Sequence, residues 1–422
     1  VIGGAAQVPD FAPLIGAYLA RQDWVQAALG SFGEAKVPAE VIDTEILRLD
    51  HPGMASVVVE CRECTFHLVL GWRPVAVAPG VLGARSGAVL GPARDAHGDV
   101  LVYDALADSE LVVALLHAAS RGREAAQRGR VVQSLVSHAS LVYDDRLLMK
   151  CYRVIEPRPR PEVEMALGLD AAGFNFMLAP VVHWRRNGRD LALAREYVPG
   201  AVEGLALART SLRDLLARAE DSVNGKPFED VGLAGGDLSP EMRRLGAATA
   251  RMHLALAEAF GVQAPAGAGA ASAAGKPLSS GGLGGASGLG GAIRVHGDFH
   301  LRRVMRTDAG WVVAGFGDDP LMGAAAGSGS QGEGRFASPL EDVADLCRSL
   351  HLAAVEAVHL QATRTRAHAQ LLASGWERHN IAAFVRGYLS LDGIDRLLPV
   401  TEGHVDRILA DLIAAREEAG RR

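Results

Sequence analysis

Lysine is scarce: only Lys36, Lys150, Lys226 and Lys276 occur in 422 residues, although Lys and Arg together number 43. Arginine is the default cation, so each retained Lys is the more informative. Cysteine is equally rare. Cys61 and Cys64 form one Cys-x-x-Cys, Cys151 and Cys347 stand alone, and no second pair completes a four-ligand zinc site. They are expected as packing thiols in a reducing cytosol. No apolar run reaches the roughly 18 residues of a membrane-spanning helix. The start, VIGGAAQVPDF, has no basic segment of the kind that opens a secretory signal. A net charge of −6 gives no general attraction to nucleic acid or anionic membrane. A soluble, cytoplasmic chain with neither partner is expected. Aromatic residues make up 5% of the chain, and none follows Tyr388.

What is present divides into three expected parts. Residues 1–130 read as a small α+β unit. FAPLIGAYLARQDWVQAAL (11–29) has helical spacing, and the alternation Val57, Val59, Cys61 and Phe66, Leu68, Leu70 reads as antiparallel sheet. Residues 131–200 read as a sheet of about five strands, with turns at Asp144–Asp145 and Asn187–Gly188. One helix, opened by Pro161, falls between the third and fourth strands. Residues 201–422 read as mainly helical. Ser239 is expected as the N-cap of one helix, and Ser338 with Glu341 as the capping box of another. Segments 261–292 and 323–335, rich in Gly, Ala and Ser, read as mobile insertions.

Two stretches carry chemistry. Lys150 ends the alternating run RLLMK, and Glu162 and Glu164 follow in the next helix. A strand Lys held by a helical Glu is how kinase-type phosphotransferases meet nucleotide phosphates. Of the two, Glu164 is expected as the partner. The second stretch is VHGDFHLRRVMRTDAGWVVAGFGDDP, residues 295–320. Asp298 is placed to accept the proton of an attacking hydroxyl, with His296 and His300 bracing its loop.

Together these stretches resemble the bacterial maltokinase-type sugar kinases, which include glucosamine kinases of actinobacteria, within the aminoglycoside phosphotransferase and protein-kinase-like superfamily. LARQDW, YDALADSELVVALL, LMKCYRVIEPRPRPEVE, LALAREYVPGAVEG, HGDFH, GWVV and SPLEDVADLCRSL carry the resemblance along most of the chain. It implies an α+β, bilobal protein-kinase-like fold with an N-terminal cap subdomain, a nucleotide-binding sheet and a mainly helical C-lobe. It also implies ATP as phosphoryl donor, magnesium as cofactor and a sugar as acceptor. Asp298 would be the base and Lys150 the phosphate-binding Lys. Ser137 and Ser140 of VSHAS would belong to the phosphate loop, and backbone groups near Glu196 and Val198 would read adenine.

The same register exposes departures. Where the family ends its loop with Gly-Gln or Gly-Asn, this chain has Arg302 and Arg303, so the magnesium-binding amide is missing. Gly315 stands where the family has its principal metal-binding Asp, and no Asn or Gln lies between residues 264 and 330. Magnesium takes oxygen ligands and usually at least one carboxylate. Two substitutes are open: Asp318 or Asp319 as replacement carboxylates, or Arg302 and Arg303 as clamps on phosphate oxygens. The expected function is ATP-dependent transfer to a sugar hydroxyl at a degenerate metal site. A monosaccharide or amino sugar is favoured over maltose, because the aromatic-poor C-terminus offers no ring to stack a disaccharide. The alternative is a pseudokinase, a nucleotide- or sugar-responsive protein that regulates a protein partner.

Overall fold

The structure is a computed structural model that describes residues 8–30, 36–221, 237–263, 290–316, 335–360, 366–398, 405 and 407–414. The expected Gly-rich insertions fall largely outside these residues, as do Asp318 and Asp319. The chain folds as two compact units, Val1–Val163 with Ala179–Pro199, and Glu164–Leu178 with Gly200–Arg422. No helix among the described residues is long and apolar enough to cross a membrane.

The first unit begins with α1 (Ala12–Ala20) and α2 (Asp23–Leu29), not with the single helix expected over 11–29. Gln22 between them is extended, with φ −93° and ψ 121°. Its amide donates to Gly87 O and the Arg21 guanidinium donates to Val89 O, so two side chains hold the break open. Five antiparallel strands follow: β1 (Glu40–Arg48), β2 (Gly53–Cys61), β3 (Cys64–Pro74), then α3 (Ala78–Leu82), β4 (Val89–Asp95) and β5 (Gly98–Asp104). Their order is β1-β2-β3-β5-β4. Alternation decides which face meets the helices. Val57, Val59, Cys61, Phe66, Leu68, Leu70 and Trp72 pack with Phe11, Ile15, Leu19 and Trp24 in one core.

After α4 (Ser109–Ala119) come β6 (Gly129–Ser134), β7 (His138–Tyr143), β8 (Leu147–Tyr152) and the short β9 (Val154–Ile155), which pairs with β3. Then follow α5 (Pro161–Ala171), β10 (Pro180–Arg186) and β11 (Arg189–Glu196). The second sheet has the order β10-β11-β8-β7-β6, five strands with the helix between the third and fourth, as the sequence indicates. Asp144, Asp145, Asn187 and Gly188 all take positive φ at the two expected turns. The ladder puts β8, and with it Lys150, at the centre of the sheet.

The second unit contains β12 (Val202–Glu203), α6 (Gly204–Asp221), α7 (Ser239–Phe260), β13 (Ile293–Arg294), β14 (Val304–Thr307), β15 (Gly310–Val313), β16 (Phe336–Ala337), α8 (Leu340–His359) and α9 (Arg366–Leu389). Met242, Leu245, Met252 and Leu256 form a buried stripe of α7. Helices α7 and α9 touch backbone to backbone. A Cβ on Gly246 or on Gly387 would lie 2.0 Å from a carbonyl oxygen of the other helix, so neither position accepts a larger residue. Both caps differ from expectation. Helix α7 starts at Ser239 itself, whose N–H and hydroxyl both reach Asp237. Helix α8 starts at Leu340 after the N-cap Pro339, with the Leu340 N–H donating to the Ser338 hydroxyl at 3.4 Å and Glu341 paired with Arg335 at 2.5 Å.

Candidate active site

In the first unit Lys150 is 4% exposed, which excludes a solvent-facing Lys on an edge strand. Its Nζ lies 2.8 Å from Glu162 Oε2. Glu162 also accepts the Tyr152 hydroxyl at 2.6 Å, and Arg195 Nη2 stands 3.9 Å away. The partner of Lys150 is thus Glu162 and not Glu164. An α-helix advances about 100° per residue, so positions two apart face opposite sides and only one can meet Lys150. Glu162 shares the buried stripe of Met165, Ala166 and Leu169, whereas Glu164 is exposed and pairs with Arg294 at 2.7 Å. Burial raises the Glu162 pKa, but the charges of Lys150 and Arg195 outweigh it and draw it down to about 2.

That shift gives a test. A carboxyl whose folded pKa is about 2, against an ordinary 4.5, contributes stability that is complete above about pH 4.5 and is lost as pH falls toward 2. A Glu162→Gln variant should be less stable at neutral pH, with a melting temperature that falls less steeply than wild type below pH 4.5. Parallel curves would mean that the ion pair contributes nothing.

In the second unit the HGDFH loop is pinned from beneath. Asp342 of α8 is 0% exposed, and its two oxygens accept the N–H groups of His296 at 2.8 Å and Gly297 at 2.9 Å. His253 Nε2 is 3.2 Å from the same carboxylate, and His253 Nδ1 is 2.8 Å from the Tyr388 hydroxyl. Burial raises the Asp342 pKa, yet His253, His296 and the Gly297 N–H together hold it below its ordinary value. The His296 ring packs on Phe299 and Phe316, with Nε2 3.3 Å from Ala314 O, and burial lowers its pKa. His300 Nδ1 accepts the Arg302 N–H, and its Nε2 lies 3.4 Å from Asp298 Oδ1. His296 and His300, the two histidines expected to brace the loop, thus make these contacts within and beneath it.

Asp298 is the exception to this burial, with 48% of its side chain exposed. Arg303, itself 7% exposed, reaches back and donates to Asp298 Oδ2 from Nε at 3.1 Å and from Nη2 at 2.5 Å. Burial pushes the Asp298 pKa up, but hydrogen bonds from His300 and Arg303, with the charge of Arg303, hold it far below the ordinary carboxylate range. Gly315 has φ +72°, and a Cβ there would come within 2.7 Å of Arg303 Nη1 and 2.9 Å of its Cδ. The two departures seen in the sequence are thus one packed unit, since the guanidinium fills the room that a side chain at 315 would need. A buried cation beside a residue without a side chain does not fit a magnesium site. Among the described residues, no group of three His, Cys, Asp or Glu is placed to hold a metal ion.

The remaining candidate residues scatter. Arg302 turns to Glu203 at 3.6 Å. Ser137 sits at the β6–β7 turn with its hydroxyl 2.9 Å from His138 Nδ1. Ser140 lies fully buried within β7, paired in register with Lys150, and not at the turn. Glu196 and Val198 are exposed at the end of β11, and the Glu196 N–H is already committed to Ala179 O. Sequence reasoning missed Asp342, His253, Tyr388, Tyr152 and Arg195. The available signal was polar side chains on buried stripes: Asp342 is in phase with Leu346 and Leu350, and His253 with Leu256.

No protein-family model matches the sequence. Solved structures do match. A glucosamine kinase in complex with glucosamine, ADP and inorganic phosphate superposes with a TM-score of 0.57 at 19% identity, over 97% of this chain and 93% of that one. A second crystal form of a glucosamine kinase gives 0.60 at 21% identity, over the same shares of the two chains. A third gives 0.58 at 19%, over 97% of this chain and 92% of that chain. Antiparallel sheets fill the N-terminal part and helices the C-terminal part, and the chain has the fold of glucosamine kinase.

Proposed function

We propose that the chain transfers the γ-phosphoryl group of ATP to a sugar hydroxyl, with a monosaccharide or an amino sugar such as glucosamine favoured over maltose. The observation that carries this reading is the buried Lys150–Glu162 pair on the central strand of its sheet. A buried Lys held in place by Glu162 is a fixed positive charge suited to phosphate oxygens. The second unit supplies Asp298, a half-exposed carboxylate beside the buried Phe299. In the step we propose, the sugar oxygen attacks the γ-phosphorus, its proton passes to Asp298, and the bond to the bridging oxygen breaks with its electron pair leaving on ADP. The depressed pKa of Asp298 makes it a weak base. It suits a loose transition state, in which orienting the hydroxyl matters more than removing its proton early. Arg303 supplies fixed positive charge beside the reacting groups. ATP and sugar are the small-molecule partners, in a cytoplasmic setting.

The Arg303–Asp298 contact at 2.5 Å also favours a second reading. A base clamped by a buried guanidinium suits a pseudokinase that binds nucleotide or sugar and signals to a protein partner. Radiolabelled ATP with a panel of hexoses and hexosamines separates the two. The kinase reading expects transfer to at least one sugar, about 100-fold or more above an Asp298→Asn variant. If no sugar gains label above that variant, the kinase reading fails. A rise in melting temperature with ATP or sugar then supports the regulator, and no rise with either removes that reading too.

A further inference from the structure

We propose that the first unit carries a second anion site, a cavity that binds the phosphate group of a small molecule. The cavity measures about 470 Å³ and is lined by Ala119, Arg121 and Arg123 at the end of α4 and by His183, Trp184 and Arg185 of β10. It is distinct from the Lys150 pair and from the HGDFH loop, and does not depend on the function proposed above.

Charge is the first reason. Four of the six lining residues carry basic groups, and no acid lines the cavity. Asp190 lies buried, 2.8 Å from His183 and 3.7 Å from Arg185, and also accepts the Arg160 N–H. One buried carboxylate shared in this way leaves the cavity net positive. Arg121 and Arg123 have no carboxylate partner among the described residues. On a chain of net charge −6 this concentration is local, which argues against a long polyanion and for a compact ligand.

Backbone geometry is the second reason. Arg121 has φ +54°, directly after the helix, where glycine is normally preferred. The next residue, Gly122, closes the helix end by donating to His117 O at 2.8 Å. A side chain in this conformation is disfavoured, yet the sequence keeps an Arg there. Favourable interaction with the α4 C-terminus accounts for one such charge. It does not account for Arg185, which comes from a strand. The Arg123 Nε donates to Ser120 O at 3.0 Å, which orients its fork.

Size and chemistry complete the case. The volume falls within the roughly 300–1,000 Å³ typical of small-molecule sites. Guanidinium forks match phosphate oxygens in pairs. Trp184 is nearly buried in the wall and offers an apolar surface for an organic body.

The test is calorimetric titration of the full chain in chloride buffer with inorganic phosphate, glucosamine 6-phosphate and malonate. The informative variant is Arg121→Gly with Arg123→Gln. Glycine suits the positive φ, so this variant should fold at least as well as wild type while binding phosphate at least about tenfold more weakly. Arg130→Gln, at a surface pair with Asp145 outside the cavity, should bind as wild type does. A tenfold preference for glucosamine 6-phosphate over inorganic phosphate assigns an ester as the ligand; equal affinity assigns free phosphate, and both outcomes support the site. Undiminished binding in the double variant overturns the proposal. So does an equal loss in Arg130→Gln, or malonate binding as tightly as phosphate.

Discussion

Gly315→Asp alone is expected to destabilise the protein by about 2–4 kcal/mol, and Arg303→Gln in the same chain to restore much of that loss. The single change does two unfavourable things. It puts a side chain at φ +72°, and it drives a Cβ to within 2.7 Å of a guanidinium that is buried and held by Asp298. That guanidinium cannot swing into solvent without leaving Asp298. Once Arg303 is Gln the space opens, and only the backbone strain of a non-glycine residue remains, about 1 kcal/mol. The double variant also brings an amide and a carboxylate together beside Asp298, an oxygen-rich set of the kind magnesium prefers. It should therefore show a magnesium-dependent rise in melting temperature with ATP that wild type lacks. Strictly additive stability changes, with no magnesium response, would show that residues 303 and 315 do not form one unit.

Asp342→Ala should be the most damaging single change in the second unit, at about 3–5 kcal/mol measured by denaturant unfolding. Three groups lose their acceptor at once: the N–H groups of His296 and Gly297, and the ring of His253. His296 and His253 are buried, and water cannot replace their lost contacts cheaply. Phosphoryl transfer should fall with stability, because the loop that presents Asp298 is held from this point. A loss below about 1 kcal/mol would mean that the loop keeps its shape without Asp342.

Much of this arrangement was legible in the sequence because it rests on local pattern. Alternation gave β2 and β3 of the first sheet, and Asn187–Gly188 and Asp144–Asp145 gave the turns of the second. Scarcity of Lys drew attention to Lys150, which the structure places on a central strand. What escaped depended on contacts between distant residues. Counting residues from Lys150 to the next helical Glu leaves Glu162 and Glu164 equal; only the buried phase of the helix separates them. The break at Gln22 depends on carbonyls at 87 and 89, far along the chain. The anchoring of HGDFH depends on Asp342 and His253, whose sequence positions say nothing of their meeting. Arg303 and Gly315 read as two separate losses in sequence. Only their packing shows that the guanidinium occupies the space beside Gly315.

The most direct measurement is the affinity of wild-type protein for ATP by calorimetry, once in excess magnesium and once in EDTA. With Arg303 as the fixed cation beside Asp298, the proposed function expects the two affinities to agree to within roughly twofold, with no divalent ion needed to hold the phosphates. Binding in magnesium that vanishes in EDTA would contradict this, and would mean that the metal is held despite Arg303 and Gly315.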